Sequence, residues 1–180
     1  MGERFNIFCK RILKEMSVKA KPIREPYSHY QDKWRAAKFN AEYIEDFSIV
    51  GQDFKVYSLT SDQHIQLFFI QDDNIFIYLE FFLEDDDGIT MLFMWKVGAI
   101  GPMMPSLFKK YLLVNFKYVM SDASHTPQGF NVYYDLSKDP AVETSIVYDD
   151  RVVILDENDD LTNYYGSEAK HQCRFLVKLK

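Results

Sequence analysis

Residues 119–129 read Val119-Met120-Ser121-Asp122-Ala123-Ser124-His125-Thr126-Pro127-Gln128-Gly129, and this stretch decides the fold. Residues 117–120 have the apolar character of a short buried strand, and a polar turn follows them. Thr126 and Pro127 are typical of the cap and the first position of a helix. Strand-like segments precede the stretch, whereas a helix and further short strands follow it. The sequence therefore predicts an antiparallel half joined here to a half in which helices and strands alternate.

Four strands are predicted before this stretch, separated by short polar turns. Their alternating or continuously apolar patterns cover residues 54–59, 64–70, 75–83 and 89–97. Short turns join antiparallel neighbours, so these segments predict a meander. The segment 89–97 is apolar on both faces, which predicts a central place in the sheet. The last strands are expected at residues 145–148, 152–155 and 173–179.

Three further helices are predicted from apolar residues at helical spacing. Residues 3–17 form an amphipathic pattern with Lys and Arg on the opposite side, suited to covering a sheet or to lying on a membrane surface. Trp34, Ala37 and Ala41 share one side of a short helix expected over residues 34–43, and residues 106–116 predict another. We therefore divide the chain into an N-terminal helix and linker, residues 1–32, and one domain, residues 33–180.

Composition excludes several classes of protein. The 180 residues carry a formal net charge of −6, which argues against general nucleic-acid binding, because affinity for phosphate requires clustered Lys and Arg. The two cysteines, Cys9 and Cys173, are too few for a disulfide framework or a metal site, and we expect both to be reduced. No apolar run reaches about 18 residues, so no transmembrane segment is expected. With no secretory signal, the predicted location is cytoplasmic.

The order of elements from about Trp34 onward resembles the GNAT acyltransferase fold. A second resemblance is more specific, to a pattern of phage-encoded GNAT-like proteins, and it is carried by Ser121-Asp122, Thr126, Gly129, Tyr133, Leu136 and Asp139-Pro140. The resemblance implies an α+β or α/β architecture with a mixed central sheet, in which an antiparallel meander leads into a βαβα unit with one parallel strand pair. It also implies acetyl-CoA as the cofactor and the cytoplasm of a bacterial host as the location.

The resemblance places a pyrophosphate-binding loop between the fourth strand and the next helix. In such a loop, glycines allow close approach and the unpaired N–H groups at the start of the helix take the anion. The implied cofactor-binding residues are Val97, Gly98, Gly101, Met103 and Ser106. Pro102 and Pro105 depart from the family pattern, because each removes an N–H donor from this segment.

Acyl transfer to an amine also needs a proton acceptor for the amine and a proton donor for the leaving thiolate. The resemblance suggests Glu80 as the acceptor, although a solvated surface glutamate is the simpler interpretation. It suggests Tyr134 as the donor, which could instead be a packed aromatic residue, and it leaves Tyr133 for the core. The four histidines show no spacing typical of metal ligands, and no metal site is predicted.

Two functions remain open from the sequence. The first is a binding, assembly or host-interaction module with a degenerate acyl-CoA site and a protein partner. The second is an active N-acyltransferase that moves an acetyl group from acetyl-CoA to an amine. Pro102 and Pro105, together with the lack of a carboxylate in residues 89–97, favour the first. The family resemblance favours the second.

Overall fold

The computed structural model describes residues 27–97, 103–122, 126–148, 151–156, 159, 161–164 and 173–180. The helix predicted over residues 3–17 lies outside these ranges, as do Gly98, Gly101 and His125. Within them the chain forms a mixed α+β fold with a nine-stranded sheet and three main helices. The predicted α+β class with a mixed sheet is therefore confirmed.

The elements follow one another in an order close to the predicted one. Helix α1 is Tyr27–Ala37, and the meander comprises β1 (Glu42–Ile49), β2 (Gln52–Ser61), β3 (His64–Gln71), β4 (Asn74–Leu83) and β5 (Ile89–Lys96). Helix α2 spans residues 103–115, β6 is Val119–Met120, and α3 is Pro127–Ser137. The chain continues with β7 (Val142–Tyr148), β8 (Arg151–Ile154), a 3₁₀ turn (Leu161–Tyr164) and β9 (Arg174–Leu179).

The sheet has the strand order β1-β2-β3-β4-β5-β6-β9-β7-β8. Strands β5 and β6 are parallel neighbours, and the other seven pairs are antiparallel. Strand β5 occupies the centre, as its apolar composition predicts. The predicted passage from an antiparallel meander to a parallel pair joined by a helix is thus confirmed, with β9 inserted between β6 and β7.

Each face of the sheet has its own core. On one face α2 and α3 pack against Phe69, Leu79, Phe81 and other buried side chains of the meander. On the other face α1 covers a smaller, mainly aromatic cluster that includes Phe68 and Tyr78. Successive residues of a strand point to opposite faces, so β4 divides its side chains between the two cores.

Helix α1 lies earlier than predicted, and the expected helix over residues 34–43 is wrong in its second half. The helix begins at Tyr27, inside the segment predicted as linker, so the division drawn at residue 32 falls within it. Tyr30, Trp34 and Ala37 form its buried stripe, and Ala37 O accepts from Ala41 N at 2.8 Å as the helix ends. Residues 42–49 then pair with β2 and form an unpredicted edge strand.

Helix α2 differs from its prediction in extent and in geometry. It begins at Met103 rather than Ser106, because the first turn of a helix tolerates Pro105, whose missing N–H would have no helical partner there. Its middle, Phe108–Leu112, is π-helical, which the sequence did not indicate. Lys109 of this segment pairs with Asp139 beyond the end of α3, with Nζ and Oδ2 2.5 Å apart.

Candidate functional site

The parallel strands β5 and β6 share only a short ladder. Only two residue pairs join them, Ile89 with Val119 and Thr90 with Met120. In the described residues, β5 pairs no further on that side, although it continues for six residues to Lys96. The first three residues of β5 are buried, and the remaining five are only half-buried. The ladder between the two strands therefore ends at Thr90, and we call the unpaired space beside the second half of β5 the cleft.

Helix α3 starts against this cleft. Thr126 caps the helix, since its Oγ1 accepts a hydrogen bond from Gly129 N at 3.0 Å, as predicted. A Cβ at Gly129 would lie 3.5 Å from Cε of Met94 on β5. The Met94 side chain thus spans the space between the unpaired half of β5 and the first turn of α3.

The residues predicted to bind a CoA pyrophosphate lie in different environments. The backbone N–H of Val97 donates to Phe76 O at 2.8 Å, so this amide is already used. The Met103 side chain is 1% exposed and belongs to the core. Ser106 is half-buried in the first turn of α2. Gly98 and Gly101 lie outside the described residues.

The predicted proton acceptor, Glu80, belongs to a group of polar side chains on the face covered by α1. Its Oε1 lies 2.8 Å from His64 Nε2, and its Oε2 accepts a hydrogen bond of 2.6 Å from the hydroxyl of Tyr78. Lys33 Nζ lies 3.5 Å from that hydroxyl and 4.0 Å from Glu80 Oε2. The Glu80 side chain is 22% exposed, so the interpretation of a fully solvated surface glutamate does not hold.

The phenol that donates to the Glu80 carboxylate, that of Tyr78, is buried. The residue is 0% exposed, and burial, followed by the neighbouring Glu80 carboxylate, raises the pKa of its phenol. A neutral phenol in this place acts as a hydrogen-bond donor. Glu80 is therefore fixed at Oε2 by a donor that stays protonated, while Oε1 faces the more exposed His64.

The predicted proton donor, Tyr134, lies on α3 and packs on the opposite face of the sheet. Its ring is half-buried against the larger core, 6.0 Å from that of Phe130, and Lys138 Nζ lies 5.3 Å from the ring centroid. Tyr133 is buried in the core as predicted, with its ring 5.6 Å from that of Phe108. Glu80 and Tyr134 consequently do not contact each other; β5 and the cleft lie between them.

Sequence reasoning missed His64 and Lys33 as members of the Glu80 group. Strands β3 and β4 are joined by a two-residue turn at Asp72 and Asp73, and an unbroken register from it would place His64 opposite Phe81. A bulge at Phe76 shifts the register by one residue, so that His64 opposes Phe82 and shares a face with Glu80. No signal in the sequence marks this bulge.

Other kinds of site find little support in the part of the chain that the structure describes. That part holds no group of three or more His, Cys, Asp and Glu side chains placed to bind a metal ion. None of its helices is both long enough and apolar enough to cross a membrane. Models of known protein families and the curated proteins contain no match to this chain.

Proposed function

We propose that this protein has a GNAT-like fold and transfers an acyl group from acyl-CoA to an amine, with the thioester held in the cleft between β5 and β6. The observation that carries the proposal is the parallel pair of only two residues that opens beside the half-buried second half of β5. A β-sheet normally fills such a space with ladder hydrogen bonds. The unpaired edge of β5 instead offers backbone groups to an extended ligand such as a pantetheine arm.

The position of β9 supports the same proposal. It pairs with β6 on the far side from β5, so the opening of the sheet on one edge of β6 does not leave β6 unsupported. A bulge at Leu92 falls within the open half of β5, since Glu80 opposes Phe93 and Phe81 opposes Met91. Bulges re-aim backbone groups and are frequent beside active sites.

In this proposal, Glu80 and Tyr134 act from the two faces of the sheet. A thioester lying in the gap is accessible from both. The amine would approach on the α1 face, where Glu80 lies one strand spacing, about 4.8 Å, from β5. Tyr134 on the other face would protonate the thiolate as it leaves. General acid and base groups contribute roughly 10²–10⁴-fold each, so Glu80→Gln and Tyr134→Phe should lower kcat by factors in this range.

Binding of acetyl-CoA is the first test of this proposal. A ligand at 100 times its Kd stabilises the folded state by about 2.7 kcal/mol. For a chain of this length, each kcal/mol raises Tm by about 2–4 °C, so a rise of about 5–11 °C is expected. Desulfo-CoA and free pantetheine should give smaller rises. An unchanged Tm in millimolar acetyl-CoA would refute the proposal.

A matched pair of variants locates the site. Met94→Trp should abolish the rise in Tm, because a larger side chain at this position fills the space between β5 and Gly129. Ile65→Trp is the control, since Ile65 is also a half-buried residue packed against the same core, but on β3, two strands from β5. Loss of binding in both variants, or in neither, would contradict the placement of the ligand in the cleft.

A second candidate function is a GNAT-like binding or assembly module with a degenerate cofactor site, such as a phage protein that acts on a host protein. Two observations favour this candidate, because each leaves fewer N–H donors for a pyrophosphate. The Val97 amide already donates to Phe76 O, and Pro105 in the first turn of α2 has no N–H. This candidate predicts no change of Tm with acetyl-CoA. It also predicts a stable protein complex, observed by light scattering after mixing with a host lysate fraction and identified by mass spectrometry.

A further inference from the structure

His64 has the geometry of a proton carrier attached to Glu80. Its Nε2 lies 2.8 Å from Glu80 Oε1, and its side chain is 31% exposed, compared with 22% for Glu80. The phenol of Tyr78 and the ammonium of Lys33 approach the other carboxylate oxygen. One oxygen of Glu80 is thus bonded to the buried phenol of Tyr78, whereas the other contacts a ring that reaches solvent.

The hydrogen bond determines which ring nitrogen of His64 carries the proton at rest. An ionised carboxylate only accepts hydrogen bonds, so a neutral His64 places its proton on Nε2. Its Nδ1 then carries the lone pair, and it makes no hydrogen bond to the described residues. The ring also contacts Phe82, with the two centroids 5.4 Å apart, which limits its rotation.

We propose that His64 carries to solvent the proton that Glu80 takes from the acceptor amine. This inference rests on the proposed acyl transfer. The ammonium N–H bond breaks as an O–H bond forms on the Glu80 carboxylate. Exchange with water then moves the proton of the neutral ring from Nε2 to Nδ1. The freed lone pair of Nε2 takes the proton from Glu80 as the N–H bond at Nδ1 breaks and its proton goes to water, which returns the ring to the Nε2–H tautomer. Glu80 is left ionised, and no other reactant is needed.

The alternative to a carrier is a purely structural role, in which His64 only donates a hydrogen bond. Imidazole suits the carrier role because it has two ring nitrogens, so it can take a proton at one and release a proton from the other. The half-buried position of Glu80 also makes direct exchange of its proton with bulk water slower than exchange through a more exposed ring. Lys33 cannot replace His64, because an ammonium has no lone pair with which to accept a proton. Tyr78 cannot replace it either, because it is 0% exposed and does not reach solvent.

The test compares His64→Gln with His64→Ala in the full-length protein. The glutamine amide can keep the donor to Glu80 but cannot relay a proton, so a carrier role predicts that kcat falls at least tenfold in both variants while KM for acetyl-CoA is unchanged. Added imidazole should restore most of the kcat of His64→Ala in proportion to its concentration. Normal activity of His64→Gln, or failure of imidazole to rescue His64→Ala, would overturn the proposal.

A second measurement does not depend on transferase activity. Long-range ¹H–¹⁵N NMR spectra should show His64 in the Nε2–H tautomer in the native protein and a mixture of tautomers in Glu80→Gln. If the two spectra have the same tautomer, the link between His64 and Glu80 is refuted even if acetyl-CoA binds. If acetyl-CoA fails to bind, the proposed acyl transfer fails and the proton-carrier role fails with it, whatever the tautomer.

Discussion

Glu84, at the end of β4, makes the stability of this protein depend on pH in an unusual direction. Its carboxyl Oε1 is buried without a hydrogen-bond partner among the described residues, and Asp85 and Asp86 add negative charge beside it. Burial is the largest cause, and together with these charges it raises the pKa of Glu84 from 4.5 to about 7. The neighbouring Thr90 hydroxyl and, to a smaller extent, the charge of Arg174 oppose the rise but do not cancel it.

The raised pKa means that the folded state holds a proton that the unfolded state has released. Between pH 4.5 and about 7 the folded state therefore binds more protons, and the free energy of unfolding falls as the pH rises through this window. At 1.36 kcal/mol per pKa unit the loss is at most about 3 kcal/mol. Because Glu84 is only partly buried, solvent screening reduces it to about 1 kcal/mol.

Glu84→Gln removes this titration, because the glutamine amide does not ionise. The free energy of unfolding of the variant minus that of the native protein should therefore rise by about 1 kcal/mol between pH 5 and pH 8. With a urea m-value of about 2 kcal/mol/M, the urea midpoint of the variant should gain about 0.5 M over the native protein across this range. Glu42→Gln, on the exposed edge strand β1, is the control and should change nothing. The same dependence on pH in Glu84→Gln and native protein would refute the reasoning.

Three further predictions concern single contacts, each measured by urea unfolding. Thr126→Ala should cost about 1 kcal/mol, because the bond to Gly129 N at the start of α3 is lost; Thr126→Ser should retain most of the stability. Gln31→Ala should cost about 1–3 kcal/mol, because Gln31 satisfies one backbone donor and one backbone acceptor at the β3–β4 turn; equal stability of the variant and the native protein would contradict this account. Gly88→Ala should be strongly destabilising, because a Cβ would lie 2.1 Å from Cζ of Tyr118, and Tyr118→Ala in the same chain should recover part of the loss.

The meander and the change of topology after it could be predicted because they follow from local patterns. The strand predicted over residues 64–70 is observed as β3, and its end differs from the prediction by one residue. The capping residue Thr126 and the following Pro127 fix the start of α3 through backbone chemistry that involves only the next three residues. Such features depend on residues that are close together in the chain, so they can be predicted from a single sequence.

The start of α1 could not be predicted because its reason lies far away in the chain. Trp34 Nε1 donates to Asp73 Oδ1 at 3.2 Å, and Gln31 bonds to the backbone of Asp73 and Ile75 at the same turn. These contacts join residues about 40 positions apart. The edge strand β1 was missed for a similar reason, since few of its side chains are buried and its place is set by pairing with β2.

The chemistry at Glu80 depends on two irregularities that alternation alone does not reveal. The bulge at Phe76 shifts β3 against β4 and brings His64 to the face of Glu80. The bulge at Leu92 shifts β4 against β5 and brings Phe93 opposite Glu80. A strand of regular period would place His64 on the other face, where α2 and α3 pack. The carboxylate–imidazole contact and the open half of β5 thus both lie where the sheet departs from its regular pairing, and a register error of one residue at either bulge would remove the site while leaving the fold intact.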